Sequence, residues 1–191
     1  MNVETTLARW REEERSVRAR LSAEAGWASP EQLAGLSGLE VFEAIFAGKL
    51  PRPPIGDTLD FVPIHIGRGL AVFQGQPLAK HYNPLGTVHG GWFAALLDSA
   101  LGCAVHSTLP TGKGYTTLEV KLNIVRALTT AVSLVRAEGK VLHVGRQVAT
   151  AEARLTGPDD RLYAHATTTC LVFERPPGDS VERTASGPRR A

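Results

Sequence analysis

Residues 83–91 read Asn83-Pro84-Leu85-Gly86-Thr87-Val88-His89-Gly90-Gly91, and the apolar run WFAALLDSALGCAVH follows over residues 92–106. Phe93, Leu96, Leu97, Ala100, Leu101, Ala104 and Val105 recur at steps of three and four, the spacing of one helical face. Most other positions are Ala, Ser or Gly, so the helix has almost no solvated side and is expected to be buried. Ala95, Ser99 and Gly102 form a small-residue stripe that lets another backbone come close. Asp98 is the only formally charged side chain from Val88 to His106. A carboxylate in such a helix is costly unless something pairs or uses it, which makes Asp98 the first candidate for chemistry.

Outward from this helix, the texture is of strands. Thr58 to Gly67 and Gly69 to Phe73 read as a hairpin turning at Gly67-Arg68-Gly69. After Gly114, Leu118, Val120, Leu122 and Ile124 alternate with Glu119, Lys121 and Asn123, a period of two that predicts a sheet with one buried face. Val132 to Val144, Arg146 to Leu155 and Leu162 to Phe173 extend the series, with a turn at Gly157-Pro158-Asp159-Asp160. Two strands, one apolar helix and three or four antiparallel strands predict an α+β fold, a long curled antiparallel sheet around one central helix.

The flanks differ. Residues 1–54 read as a helical extension closed by Pro51, Pro53 and Pro54, which make a stiff extended link. Within it, Arg11-Glu12-Glu13-Glu14-Arg15 mixes both signs and reads as a solvated helix surface. Leu39, Phe42, Ile45 and Phe46 share one side of a second helix. The folded domain is expected over 55–174, and the Pro, Gly, Arg and Ser of 175–191 predict a disordered tail.

The chain's 191 residues, 43% of them hydrophobic, suffice for one domain with a substantial core. A net charge of +2 argues against nucleic acid or a membrane surface as partner. No basic segment followed by an apolar one opens the chain and no run approaches a membrane span, so a cytoplasmic protein is expected. Cys103 and Cys170 sit in apolar runs as reduced thiols, consistent with that compartment. The histidines show no zinc-ligand spacing, Gly112-Lys113-Gly114 lacks the phosphate-loop spacing, and Ser99 lacks a nucleophile elbow.

Asn83-x-x-Gly-Thr-x-His-Gly-Gly with Asp98 seven residues on resembles the hotdog-fold acyl-CoA thioesterases of the PaaI-like, phenylacetate-pathway branch. The resemblance covers roughly residues 55–174 and includes Thr116-Thr117-Leu118-Glu119 and Asn123-Ile124-Val125-Arg126-Ala127. It implies that the Gly90 amide polarises the thioester carbonyl, that Asp98 is nucleophile or base for water, and that Thr117 is a second polar helper. It implies no cofactor beyond coenzyme A as part of the substrate, and no metal.

The residues themselves leave choices open. Gly90 and Gly91 start the helix, where free N–H groups and the positive dipole end suit an oxyanion, but they also permit a tight turn. Asn83 can donate to a carbonyl or a water, or simply make an Asn-Pro turn. His89 lacks a carboxylate at triad-like spacing and reads as fixing the loop beside the substrate. Thr116, not Thr117, shares parity with Leu118, so Thr117 needs a twist or bulge to reach the helix. Arg126 and Arg146, with Lys140, are the candidates for coenzyme A phosphates.

Gly90 and Asp98 are eight residues apart, ~12 Å along one helix at ~1.5 Å per residue, and cannot both meet one thioester. If both are catalytic, two chains must share a site, so a homodimer is the minimum state and a tetramer stays open. Two other functions fit the same scaffold: a non-catalytic acyl-CoA binding or sensing protein, and an acyl-CoA hydratase or dehydratase.

Overall fold

The apolar run forms one helix, α5 (Gly90–His106), and the strands curl around it. The structure, a computed structural model, describes residues 2–175. Before α5 lie α1 (Val3–Arg18), α2 (Pro30–Leu33), α3 (Gly38–Phe46), α4 (Ile55–Leu59) and the hairpin β1 (Phe61–Gly67) and β2 (Leu70–Gly75). After it come β3 (Lys113–Ile124), β4 (Val135–Val144), β5 (Val148–Thr156) and β6 (Leu162–Glu174). All pairings are antiparallel in the order β1-β2-β4-β5-β6-β3, the hotdog arrangement that the strand order predicts.

The sheet can hold a helix this closely because its concave face is built from small residues. Ala137, Gly139, Ala149, Ala151, Ala153, Ala164 and Ala166 are all buried there. At Gly139 the approach is tightest, since an added Cβ would stand 2.4 Å from the Ala100 carbonyl oxygen. Against this floor Phe93, Leu96, Leu97, Leu101 and Val105 are fully buried. Burial of one such side chain contributes about 1.5–3 kcal/mol over leaving it in water.

Three expectations need correction. The helix is not enclosed on all sides by its own chain: Gly91 is exposed, and Ala94, Ala95, Asp98 and Ser99 are only half-buried. Thr58 to Asp60 are not strand. Pro54 precedes α4, whose first turn suits proline's fixed φ, and Asp60 closes it in the left-handed region at φ 55°. Nor is α1 simply a solvated surface, because it lies on the convex face of the sheet with Trp10 and Val17 buried.

Side chains alternate along a strand, so Gln74 and Arg136, next to core residues Phe73 and Val135, point away from α5 toward α1. Arg136 donates to Gln74 Oε1 at 2.9 Å and to Glu13 Oε2 at 2.5 Å, and Gln74 donates to Glu14 Oε2 at 2.7 Å. The Arg136 guanidinium stacks 4.4 Å from the centroid of the Trp10 ring. The mixed charges of α1 thus include specific partners for the sheet.

α3 seats on the other end of the helix. The Gly38 N–H donates to Leu109 O at 3.0 Å, and an added Cβ at Gly38 would overlap the His106 carbonyl. No helix among the described residues is long and apolar enough to cross a membrane. Beyond Arg175 the expected tail lies outside the described residues.

Candidate active site

The loop before α5 is organised by Asn83. Its Oδ1 accepts from the N–H groups of Leu85 (2.9 Å) and Thr87 (3.3 Å), and its Nδ2 donates to Thr87 Oγ1 at 3.0 Å. Both ends of the Asn83 amide are therefore engaged within residues 83–87, and Gly86 takes the positive φ (78°) that the turn requires. The loop is tied down by Val88 N–H to Leu128 O at 2.9 Å and His89 N–H to His81 O at 2.8 Å.

His89 is the N-cap of α5, and its Nδ1 accepts from the Gly91 N–H at 2.9 Å. An accepting Nδ1 puts the proton of the neutral ring on Nε2. This bond consumes the Gly91 amide. The Gly90 N–H makes no hydrogen bond among the described residues, so one donor is left at the positive end of the helix.

Two turns along α5, Asp98 Oδ1 accepts from Thr117 Oγ1 at 3.1 Å. Thr117 reaches it through a β-bulge. The β3–β6 register shifts between Thr117 and Glu119, leaving Leu118 unpaired and 61% exposed. Before the bulge Tyr115 and Thr117 face the helix, and after it Val120 and Leu122 do. The unbroken alternation from Leu118 to Ile124 is thus corrected at Leu118, and Thr116 points outward, exposed.

The structure thus gathers Asn83, His89, Gly90 and Gly91 at one place, and Asp98 with Thr117 at another, ~12 Å down the helix. The phosphate candidates separate. Arg126 is exposed past the end of β3, where Ile124 Cδ1 lies 3.4 Å from where a Gly90 Cβ would be. Arg146 is exposed in the β4–β5 turn, next to Val148. Val148 and Thr116 both pair with Leu171, so this turn belongs to the opposite end of the sheet. Lys140 bonds to Glu138 at 2.8 Å.

Two supports escaped the sequence reading. His81 is buried, with Nε2 2.9 Å from Asp60 Oδ2, Nδ1 accepting from the Leu78 N–H at 3.2 Å and the ring stacked on Trp92. Since its carbonyl holds His89, this pair anchors the start of α5. Tyr115 lies across α5 at Gly102, where an added Cβ would fall 2.6 Å from Oη. Gly102 was the available signal, because glycine inside a helix costs ~1 kcal/mol and marks close approach. Burial raises the Tyr115 phenol and pushes the Cys103 thiol up to about 12, with nearby Asp98 adding to both.

Comparison with known proteins agrees with this geometry. Residues 85–164 match the model of the thioesterase superfamily. A provisionally named thioesterase related to phenylacetic acid degradation, from Ralstonia eutropha JMP134, is 29% identical with a TM-score of 0.62, covering 68% of this chain and 98% of its own. A mutant of the phenylacetic acid degradation protein PaaI of Thermus thermophilus is 28% identical with a TM-score of 0.56, covering 62% of this chain and 97% of its own. A protein of Halobacterium salinarum with a provisional esterase name is 34% identical over 92 residues, 48% of this chain. The chain spans 60% of the length of that curated relative. A single apolar helix with His-Gly-Gly at its start and Asp98 on its half-buried stripe, held in a six-stranded antiparallel sheet, is the arrangement this chain shares with PaaI-like proteins, and residues 85–164 carry its similarity to the thioesterase superfamily.

Proposed function

We propose that the protein hydrolyses an acyl-CoA thioester, with an aryl or medium-length acyl group, to the free acid and coenzyme A, acting in the cytoplasm as a homodimer at minimum. The observation that carries this reading is the division of labour along α5: an unpartnered Gly90 N–H at its start and an Asp98 carboxylate oriented by Thr117 on its open stripe. The thioester carbonyl oxygen accepts from the Gly90 N–H, which stabilises the charge that develops there. Asp98 takes a proton from an attacking water, or itself bonds to the carbonyl carbon. Collapse of the tetrahedral intermediate breaks the C–S bond and releases the coenzyme A thiolate; where Asp98 is the nucleophile, this leaves an Asp98–acyl anhydride that a water then hydrolyses to the free acid and the Asp98 carboxylate.

The ~12 Å between the two groups requires that Gly90 of one chain work with the partner's Asp98. Three features support an antiparallel pairing of the helices: the half-buried stripe of Ala94, Ala95, Asp98 and Ser99, the position of β3 at the sheet edge, and its exposed Leu118 and Ile124. Asn83 and His89 shape the loop that presents Gly90, and Arg126 and Arg146 serve the phosphates.

The test is thiol release from benzoyl-, phenylacetyl-, hexanoyl- and palmitoyl-CoA by the wild type and Asp98→Asn. We expect turnover to fall ~100- to 10,000-fold in the variant with the dimer intact. Near-normal turnover would remove Asp98 from the mechanism. Binding of the esters with no release by the wild type would favour the sensing function instead.

A further inference from the structure

The free Gly90 N–H stands beside a strip of chain that the hydrolytic steps leave unused. Ile124 Cδ1 lies 3.4 Å from where a Gly90 Cβ would be, and four residues on, Leu128 O accepts from the Val88 N–H at 2.9 Å. Residues 124–128 therefore run alongside residues 88–90 as a lip. The lip is fixed from its other side as well, since the N–H groups of Val125 and Arg126 both donate to Tyr163 O, at 2.9 and 3.2 Å. Helix N–H groups and Cα–Cβ bonds both lean toward the helix N-terminus. A side chain that meets a Cβ at Gly90 thus borders whatever accepts from the Gly90 N–H.

The lip has an order. Ile124 and Val125 are apolar and 45% and 55% exposed, and Arg126 after them is exposed as well. A tied-down backbone that shows two large aliphatic side chains and then a guanidinium suits an extended, neutral arm with an anion at its far end. Arg126 is available for that anion. It makes no ion pair among the described residues, whereas Arg161, two residues before Tyr163, is held by Asp159 at 3.1 Å. A coenzyme A ester has this layout: outward from the thioester sulfur run amide-linked aliphatic segments, a gem-dimethyl group and then phosphate.

We propose that Ile124, Val125 and Arg126 bind the 4′-phosphopantetheine arm, which leaves the Gly90 site along this lip and puts the acyl group on the other side of the carbonyl. The inference rests on the thioesterase reading for the group held at Gly90. Coenzyme A and an acyl carrier protein present the same arm, so the lip by itself admits either source.

The experiment uses the full chain as wild type, Ile124→Ala, Arg126→Gln and Arg126→Lys, each first matched to the wild type in assembly by sedimentation. Calorimetry measures binding of the S-(2-oxoheptyl) thioethers of coenzyme A, 4′-phosphopantetheine and pantetheine, which keep a carbonyl near the sulfur but cannot be hydrolysed. Thiol release is followed from the hexanoyl esters of the same three carriers and from acetyl- and benzoyl-CoA. The wild type should bind the phosphopantetheine thioether about tenfold more tightly than the pantetheine one, a step that Arg126→Gln removes and Arg126→Lys largely keeps. Ile124→Ala should raise KM about three- to tenfold, by the same factor for acetyl-, hexanoyl- and benzoyl-CoA, because it meets the arm and not the acyl group. An Ile124→Ala effect that grows with acyl size, or a phosphate step that survives Arg126→Gln, overturns the proposal. If Ile124→Ala alters the assembly, the two Arg126 variants decide. With the phosphate step present, equal affinity for coenzyme A and phosphopantetheine upholds the lip with the arm sufficient, as a carrier protein presents it. Tighter binding of coenzyme A upholds it with the nucleotide read as well. An Arg126-dependent phosphate step without any thiol release would uphold the lip and refute the hydrolytic reading alone.

Discussion

Replacing Gly139 by alanine tests how tightly α5 is seated. An ideal Cβ there would stand 2.4 Å from the Ala100 oxygen, 2.6 Å from the Ala100 carbonyl carbon and 3.0 Å from the Leu101 nitrogen. All three are helix backbone, with no flexible side chain to swing aside, and ordinary contact begins near 3.4 Å. Helix and strand must therefore separate by roughly 1 Å, in a region where Ala71 and Ala153 flank Gly139 on the neighbouring strands. Overpacking of this kind costs about 1–3 kcal/mol, and a rigid obstacle puts it at the upper end, ~2–3 kcal/mol. At about 2–4 °C per kcal/mol for a chain of this size, Tm should fall by ~4–12 °C. Because α5 carries both Gly90 and Asp98, the same shift should cost ~10- to 100-fold in thiol release per folded molecule. Thermal unfolding by circular dichroism and the thiol assay read the two effects. A Tm loss under ~2 °C with unchanged turnover would refute the tight seating.

Two further outcomes follow from the site and its surroundings. Thr117→Val removes the donor to Asp98; at 3.1 Å the bond is long for a charge-assisted one, so ~1.5 kcal/mol, about tenfold in kcat, is expected, with Thr117→Ser restoring most of it. Equal activity in Val and Ser variants would show that the hydroxyl does not orient the carboxylate. Burial chiefly, with a smaller push from Arg175, lowers His106 from 6.5 to about 4. The unfolded chain then binds a proton that the folded chain refuses, so stability should fall as pH drops from 6.5 toward about 4 and lose no more from this group below that. His106→Phe keeps the ring contacts without the titration. Denaturant unfolding across that window should show the two stability curves diverging by at most on the order of 3 kcal/mol, and parallel curves would refute the assignment.

What could be read from the chain was whatever has a period. The helix of 90–106, the hairpin and the later strands were legible because apolar spacing repeats within each of them. The irregularity near Leu118 was legible only as a need, since Thr117 could reach the helix only through a twist or bulge; the apolar alternation runs across it without changing residue type, and only pairing with β6 shows that Leu118 turns outward. α4 was hidden by Pro51, Pro53 and Pro54, which end one helix but equally suit the start of another. The charges of α1 gave no sign of a packed face, because Glu13 and Glu14 find Arg136 and Gln74 far along the sequence, on the outside of the sheet. At the site, residue types pointed to Asp98 and Gly90. The finding that Gly91 is capped by His89 while Gly90 is left free needed coordinates.

The separation of Arg126 from Arg146 bears on the two-fold pairing proposed for Gly90 and Asp98. In one chain Arg126 lies beyond the Gly90 end of α5 and Arg146 toward the His106 end, so one coenzyme A cannot readily use both. The proposed pairing sets Gly90 beside the partner's Asp98 with the helices antiparallel, which carries the partner's helix onward past Gly90 rather than back along it. The His106 end of the partner, with its Arg146, then projects on the side where Arg126 of the first chain lies. In that proposed pair, cations that diverge in a single chain would converge along the axis, at the end where Gly90 would hold the carbonyl. Under the proposed pairing, the ~12 Å between Gly90 and Asp98 and the spread of the two arginines follow from one geometry, in which each chain would supply half of two equal sites.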